Sequence, residues 1–175
     1  MNKSTVITLQ NLNTLTQQAA QEWFSYCCAA PTWSLNMAQA RPFSSLEQLR
    51  QKAQQTWLDC TEADYLVAFE AHPMIGDVNS LREKYASTKA MASNEQQGAN
   101  EADEATLQAL ADANKQYLAK HGFIFIICAT GLSAQTMLDA LLARLNNDSQ
   151  TEVRLAAAEQ LKITLLRLEK GVQTL

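Results

Sequence analysis

Histidine is nearly missing from this chain of 175 residues: His72 and His121 are the two present. Cysteine is sparse as well, and Cys27, Cys28, Cys60 and Cys128 form no Cys-x-x-Cys pair. With no His-x-x-x-His spacing either, the usual ligand sets for zinc are lacking, and no protein-bound metal is expected. Cys27 and Cys28 are adjacent, which is poor geometry for a bond between them. Clusters of Lys and Arg are absent, and the net charge of −4 is spread over interspersed acids and bases. That argues against nucleic acid or an anionic membrane as partner. A small anionic substrate stays open, because it needs only one local cation. The longest apolar run, FIFIICA from Phe123 to Ala129, falls far short of the roughly 20 residues a spanning helix needs. The opening MNKSTVITLQNL has no apolar core of a secretory signal. The expectation is a reduced, cytoplasmic protein without disulfides or a membrane segment.

Glycine (five) and proline (three) are scarce, while Ala, Leu, Gln and Glu, all good helix formers, are abundant. With 47% apolar and 18% charged residues the chain can build a core, and its length suits one domain over 1–175. Asn13 or Thr14 can cap a helix running to about Cys28, with Leu15, Ala19, Trp23, Tyr26 and Cys27 near one face. Pro31 is placed to open a short helix through Met37. Ser44 with Glu47 has capping-box spacing for a helix to about Leu58, and another runs from Thr61 to Glu70. Residues Val78 to Asn100 are polar and weakly periodic, with a short helix expected near Ser80–Ala86. A helix over Glu101 to Lys120 follows, closed by His121-Gly122. Ser133 caps a helix to about Leu145, and Asp148 or Ser149 caps a last one to about Lys170, with Val153, Ala157, Leu161, Thr164, Leu165, Leu168 and Val172 as its buried stripe. Phe123 to Ala129 alone has strand chemistry, and a lone strand has nothing to pair with. The fold class expected is all-α: one compact multi-helix domain, a short extended core segment at Phe123 to Ala129, and a flexible N-terminus over 1–8.

One stretch, FEAHPMIGD from Phe69 to Asp77, breaks the helical pattern. His72 precedes Pro73, which fixes the backbone and removes a donor, and Gly76 permits a tight turn. The plain reading is a helix-end histidine bonded to a free carbonyl. The functional reading is an imidazole held at a helix end, where it reaches into a cleft and moves a proton near neutral pH.

EAHPMIGD, then ASNEQQGA (Ala92 to Ala99), GFIFIICATGLSA (Gly122 to Ala134) and RLNNDSQTEVRLAAAEQLKITLLRLE (Arg144 to Glu169) occur in that order. Together they resemble the OHCU decarboxylase family, whose enzymes decarboxylate 2-oxo-4-hydroxy-4-carboxy-5-ureidoimidazoline (OHCU) to S-allantoin. The resemblance extends from about Leu9 to Val172, more loosely through YCCAAPTW and ARPFSSLEQL. It implies an all-α fold, a homodimer and no cofactor. It also implies His72, Glu95 and Arg167 as the catalytic set. Pro73, Ala92, Ser93, Asn94, Gln96 and the segment Phe125, Ile126, Ile127, Cys128 and Ala129 are implied as substrate-binding. Two positions depart from the family pattern: Met74 stands where relatives often carry a basic residue, and Ala92 stands where serine is common, with Ser93 as the neighbouring hydroxyl.

Each of these residues also has a structural reading. A Glu-Gln pair in a polar loop is usually solvated, an arginine near a helix C-terminus complements its dipole, and FIFII is ordinarily core. A non-catalytic helical interaction module, with His72-Pro73 as a structural turn, is the alternative from another class. Hydrolysis of 5-hydroxyisourate is a third, and it would need a set richer in His and Arg.

Overall fold

Hydroxyl side chains decide where most of these helices begin. The computed structural model describes residues 6–73, 79 and 98–173. Its described residues hold α1 (Leu9–Thr14), α2 (Gln17–Cys27), α3 (Pro31–Gln39), α4 (Leu46–Leu58), α5 (Glu62–Glu70), α6 (Gly98–His121), α7 (Ala134–Leu145) and α8 (Ser149–Gly171). Thr8, Thr16, Ser45, Thr61 and Ser133 each accept a backbone N–H at a helix start, filling donors the first turn leaves unpaired. Asp148 does the same for α8, taking the Thr151 N–H at 2.9 Å. Pro31 opens α3 at a position where its missing N–H costs nothing. Gly122 closes α6 at φ +78°, with its N–H on the Leu118 carbonyl at 2.9 Å. The all-α class holds, with one two-residue strand pair beside the helices. The short helix expected near Ser80–Ala86 lies outside the described residues.

Three local expectations are corrected. The helix foreseen from Asn13 or Thr14 to Cys28 is two helices, because Leu15 and Thr16 have extended backbones (ψ 151° and 158°) and Thr16 caps a new start. The second of these buries Ala20, Trp23, Phe24 and Cys27, while Tyr26 is 63% exposed. The cap of α4 is Ser45 with Gln48, one residue on from Ser44 and Glu47. The Gln48 side-chain Oε1 accepts from the Ser44 N–H at 2.6 Å, and Ser45 Oγ accepts the Gln48 N–H at 3.1 Å. Residues 7 and 8, foreseen as part of a flexible N-terminus, form β1 (Ile7–Thr8), which pairs in parallel with β2 (Val172–Gln173). Thr8 is pinned there twice over, because it also caps α1.

Contacts group the chain into two units. Unit one comprises Met1–Ala71 with Ala157–Leu175, and unit two comprises His72–Ala156. The core of unit one is aromatic. Phe24 meets Trp23, Trp33 and Phe43 edge-on at centroid distances of 5.2, 5.9 and 6.3 Å, the geometry ring quadrupoles favour. Two buried indoles find carbonyls on other helices: Trp33 Nε1 donates to Ala53 at 3.0 Å and Trp57 Nε1 to Ala157 at 2.9 Å. Arg41 gathers helix-end carbonyls, with Nε on Ala38 (2.9 Å) and Nη1 on Leu12 and Leu15 (2.8 and 2.7 Å).

Unit two is built around Tyr117. Its ring packs on His121, Phe123 and Phe125 at 4.4, 5.8 and 5.3 Å, and its hydroxyl donates to Glu152. Glu152 has no exposed surface. It also accepts from Arg144 Nε at 2.9 Å and Asn147 Nδ2 at 2.7 Å. Burial would raise this carboxyl, but the hydrogen bonds from Arg144, Tyr117 and Asn147, with the Arg144 charge, outweigh it and hold the group below its ordinary 4.5. His121 is lowered from 6.5 by burial, against the pull of the Glu152 charge. Its Nδ1 lies 2.8 Å from the Ser149 hydroxyl.

Two predictions follow from these cores. Trp57 is 2% exposed and packs against the tilted Tyr65 ring at a centroid distance of 4.6 Å. Trp57→Ala should therefore cost about 3–5 kcal/mol in urea unfolding. Trp57→Phe keeps a ring and loses the indole bond, so it should cost roughly 1–2 kcal/mol. Equal costs would mean that the indole bond, not the ring, holds α4 to Ala157.

The second is a pH dependence. Both His121 and Glu152 are lowered in the folded chain, so the unfolded chain takes up protons first as pH falls. Each contribution is complete above the unfolded pKa and is lost as pH falls through the folded one. The urea midpoint should decline below about 6.5, where His121 begins to count, and again below about 4.5 as Glu152 protonates. Glu152→Gln should start less stable at neutral pH and lose little more in the second window. A decline there as steep as the parent's would assign the acid lability to other carboxylates.

Candidate functional site

The histidine that interrupts the helical pattern stands where the sequence put it, at the end of α5. That helix is fixed at its start by a complete capping box. Asp64 Oδ2 accepts from the Thr61 N–H at 2.8 Å and from its hydroxyl at 2.7 Å, while Thr61 Oγ1 accepts the Asp64 N–H at 3.4 Å. Hydrogen bonds from Thr32 and then Thr61 hold the Asp64 carboxyl below its usual range. Ala68 and Phe69 bury the last turn. Ala71 is the C-cap, with its N–H on the Phe69 carbonyl. His72 follows in a bend and is half-buried, and Pro73 after it is exposed and not helical. Because Pro73 has no N–H and disfavours a helical residue before it, α5 cannot run on through His72.

Arg167 lies on α8 in unit one. On the same row of α8, Ala156 and Gln160 are buried, Ile163 is half-buried and Arg167 itself is exposed. Its Nη1 donates to the carbonyl of Cys27, the last residue of α2, at 3.2 Å. That bond sets one edge of the guanidinium against α2. Arg167 then lines a recess of about 370 Å³ together with Val6, Trp23, Tyr26, Cys27, Lys170 and Gly171. Two cations and two aromatic rings on one recess suit a flat anionic molecule. Cys27 of this recess and Cys28 after it are buried with free thiols. Burial pushes the Cys27 thiol up to about 12 against the pull of Arg167, and Cys28 up to about 11. Neither is a thiolate nucleophile near neutral pH.

The segment from Phe123 to Ala129 is neither helix nor strand. Phe123, Phe125 and Ile126 are buried, and Ile127, Cys128 and Ala129 are half-buried. Two of its carbonyls already accept bonds: Ile126 from Arg144 Nη1 at 2.8 Å, and Ala129 from the Leu132 N–H at 3.1 Å. A carbonyl has two lone pairs, so these bonds orient the groups without exhausting them.

The implied site residues are therefore distributed as follows. His72 and Pro73 open unit two, Phe125 to Ala129 lie within it, and Arg167 belongs to unit one. Glu95, with Ala92, Ser93, Asn94 and Gln96, falls outside the described residues, as do Met74 and Gly76. Sequence reasoning gave no role to Glu152, Arg144 or Tyr117, although Arg144 and Glu152 both stand in a stretch that it singled out. Among the described residues, no group of three His, Cys, Asp or Glu is placed to hold a metal ion. Among them, too, no helix is long and apolar enough to cross a membrane.

Comparison with known proteins gives a consistent answer. The family model for OHCU decarboxylase matches residues 13–169. The uric acid degradation bifunctional protein of Arabidopsis thaliana is 36% identical over 150 residues, 85% of this chain. The chain spans about half, 46%, of that plant protein's length. The 2-oxo-4-hydroxy-4-carboxy-5-ureidoimidazoline decarboxylase of Haloferax volcanii is 28% identical over 93% of this chain and 94% of its own. Among solved structures, an OHCU decarboxylase crystallised in the presence of (S)-allantoin superposes with a TM-score of 0.68 at 35% identity, covering 86% of this chain and 96% of that one. An (S)-allantoin synthase at 16% identity shares the fold, with a TM-score of 0.70 over 96% of this chain and 54% of its own. A match spanning both units and every helix from α2 to α8 leaves one conclusion: the chain belongs to the OHCU decarboxylase family.

Proposed function

We propose that this chain decarboxylates OHCU to S-allantoin without a cofactor, and that His72, Glu95 and Arg167 carry the reaction. The observation that carries the reading is His72, half-buried at the end of a capped helix and halted by Pro73, in a chain of this family. The solved relative at 35% identity was crystallised with the product that the reading assigns.

The substrate itself explains why no electron sink has to be supplied. Its carboxylate sits on a carbon next to a ring C=N. When the bond to the carboxylate breaks, CO2 leaves and its electron pair moves toward that C=N, so the ring holds the charge. The ring nitrogen takes up a proton, the C4 hydroxyl gives up its own as that carbon becomes the carbonyl, and the carbon bearing the ureido arm gains one. Delivery of that proton to one face makes the product chiral. The protein has to orient the ring, stabilise the anion and move the proton. An imidazole is suited to move a proton to or from the C4 hydroxyl. The Arg167 fork suits an anionic oxygen. Glu95 can accept from the ureido or ring N–H groups. Pro73, Ala92, Ser93, Asn94 and Gln96 are assigned to the walls of the site. The backbone of Phe125, Ile126, Ile127, Cys128 and Ala129 is assigned to the flat amide-like ring. The same reading takes the two units as one working domain, the enzyme as a homodimer in the cytoplasm, and nucleic acid and membranes as no part of its partners.

Two variants test the assignment, with the unstable substrate generated in situ and S-allantoin followed by circular dichroism. His72→Asn keeps a small polar group at the helix end, so it should melt within the ~0.5–3 kcal/mol range of ordinary substitutions. It should lose the roughly 10²–10⁴-fold that a positioned acid–base group supplies. A stable His72→Asn variant making optically pure allantoin at full rate would remove His72 from the mechanism. Arg167→Lys keeps the charge and loses the fork, so turnover should fall. Full activity would leave Arg167 with the structural role that its bond to the Cys27 carbonyl already describes.

A further inference from the structure

The segment Phe123 to Ala129 has no helix or ladder to hold its main chain, yet a backbone that reads a ring must be placed to a few tenths of an ångström. Among the described residues of unit two, Arg144 is placed to do this. The Arg144 guanidinium meets three partners with two edges and a face. Nε donates to Glu152 Oε2 at 2.9 Å, and Nη2 lies 2.8 Å from the same oxygen. Nη1 donates to the Ile126 carbonyl at 2.8 Å. The face of the group covers the Phe125 ring, with Cζ 4.6 Å from its centroid. Glu152 is fixed in turn by Tyr117 on α6 and by Asn147 after α7.

A buried ion pair of this kind adds little stability over an apolar pair of equal volume. What an apolar pair cannot do is donate to a main-chain carbonyl from a direction that the rest of the network fixes. We infer that Arg144, held by Glu152, is a positioning residue that presets the Phe125 to Ala129 backbone for substrate. This rests on the decarboxylase reading of that segment. Arg144 acts through Ile126 and Phe125 and does not itself meet the substrate. Tyr117 braces the carboxylate, but its hydroxyl makes no bond to the segment.

That difference provides the test. Arg144→Lys supplies a single point charge, which can pair with Glu152 or reach Ile126 but not both. Tyr117→Phe removes one bond to Glu152 and leaves the Arg144 bonds in place. Both variants should lose stability. Arg144→Lys should raise KM by roughly 10-fold or more, as misplaced binding groups do, and speed amide hydrogen exchange at residues 125–129. Tyr117→Phe should leave KM within about 3-fold and exchange at those amides little changed, because the segment's own bonds remain. A purely structural role predicts otherwise: equal KM values, with kcat falling only in step with the folded fraction. That result, or equal exchange at 125–129 in the two variants, overturns the inference. If Arg144→Lys does not fold, Glu152→Asp draws the carboxylate back by one methylene and is read in the same way. A parent chain that forms no S-allantoin would sink the decarboxylase reading, while the exchange contrast would still decide whether Arg144 holds the segment.

Discussion

Carbonyl oxygens without a regular partner are the constraint that shapes both units. A helix leaves its last four carbonyls unpaired, and an irregular segment leaves more. A chain with helices of 6 to 13 residues through α1 to α5 creates many such ends for its length, and a buried orphan costs about as much as a lost hydrogen bond. Arginine answers this at three places. Arg41 serves Leu12, Leu15 and Ala38, Arg144 serves Ile126, and Arg167 serves Cys27. Lys120 reaches the Leu145 carbonyl at the end of α7. One planar group can join two elements at once, which a glycine C-cap cannot do. The scarcity of glycine noted in the sequence and this use of guanidinium groups are two sides of one solution.

What could be read from the sequence was what is decided within a few residues. Helix starts at Thr61 and Ser133 were legible because a cap acts on donors two or three positions away, and the start at Pro31 because proline suits the first helical position. The Gly122 stop was legible for the same reason. Errors came where two local signals competed. Ser44 and Ser45 are followed three residues on by Glu47 and Gln48, and either pair satisfies the box. Helical periodicity runs unbroken past Leu15, so nothing apolar marked the extended pair there. Placing Tyr26 inside followed from counting that stripe from the wrong helix start.

The site shows the same division. His72 stood out because its residue type is rare and because Pro73 is a local fact. The Arg144–Glu152 pair did not stand out. An acidic residue in a first helical turn is ordinarily solvated, favoured by the dipole alone. Glu152 is instead fully buried, and its partners come from α6, α7 and the turn between α7 and α8. Whether an acid in a first turn faces water or a core depends on how three elements pack, and no spacing rule within one helix encodes that.

The two histidines show how far local sequence can carry a functional argument. Each ends a helix, and each is followed by a residue that stops helices, Pro73 in one case and Gly122 in the other. Their surroundings then diverge. His121 is 8% exposed, lies against Tyr117 and Phe123, and has Nδ1 beside the Ser149 hydroxyl. Burial lowers its pKa, so near neutral pH it stays an uncharged part of the core. A ring in that setting is shielded from exchanging protons with a ligand. His72 is half-buried, with an exposed proline after it, so it keeps more access to its surroundings than His121 does. Proton transfer needs that access as much as it needs a suitable pKa. Burial therefore separates His121, a core histidine, from His72, where position along a helix would have treated them alike.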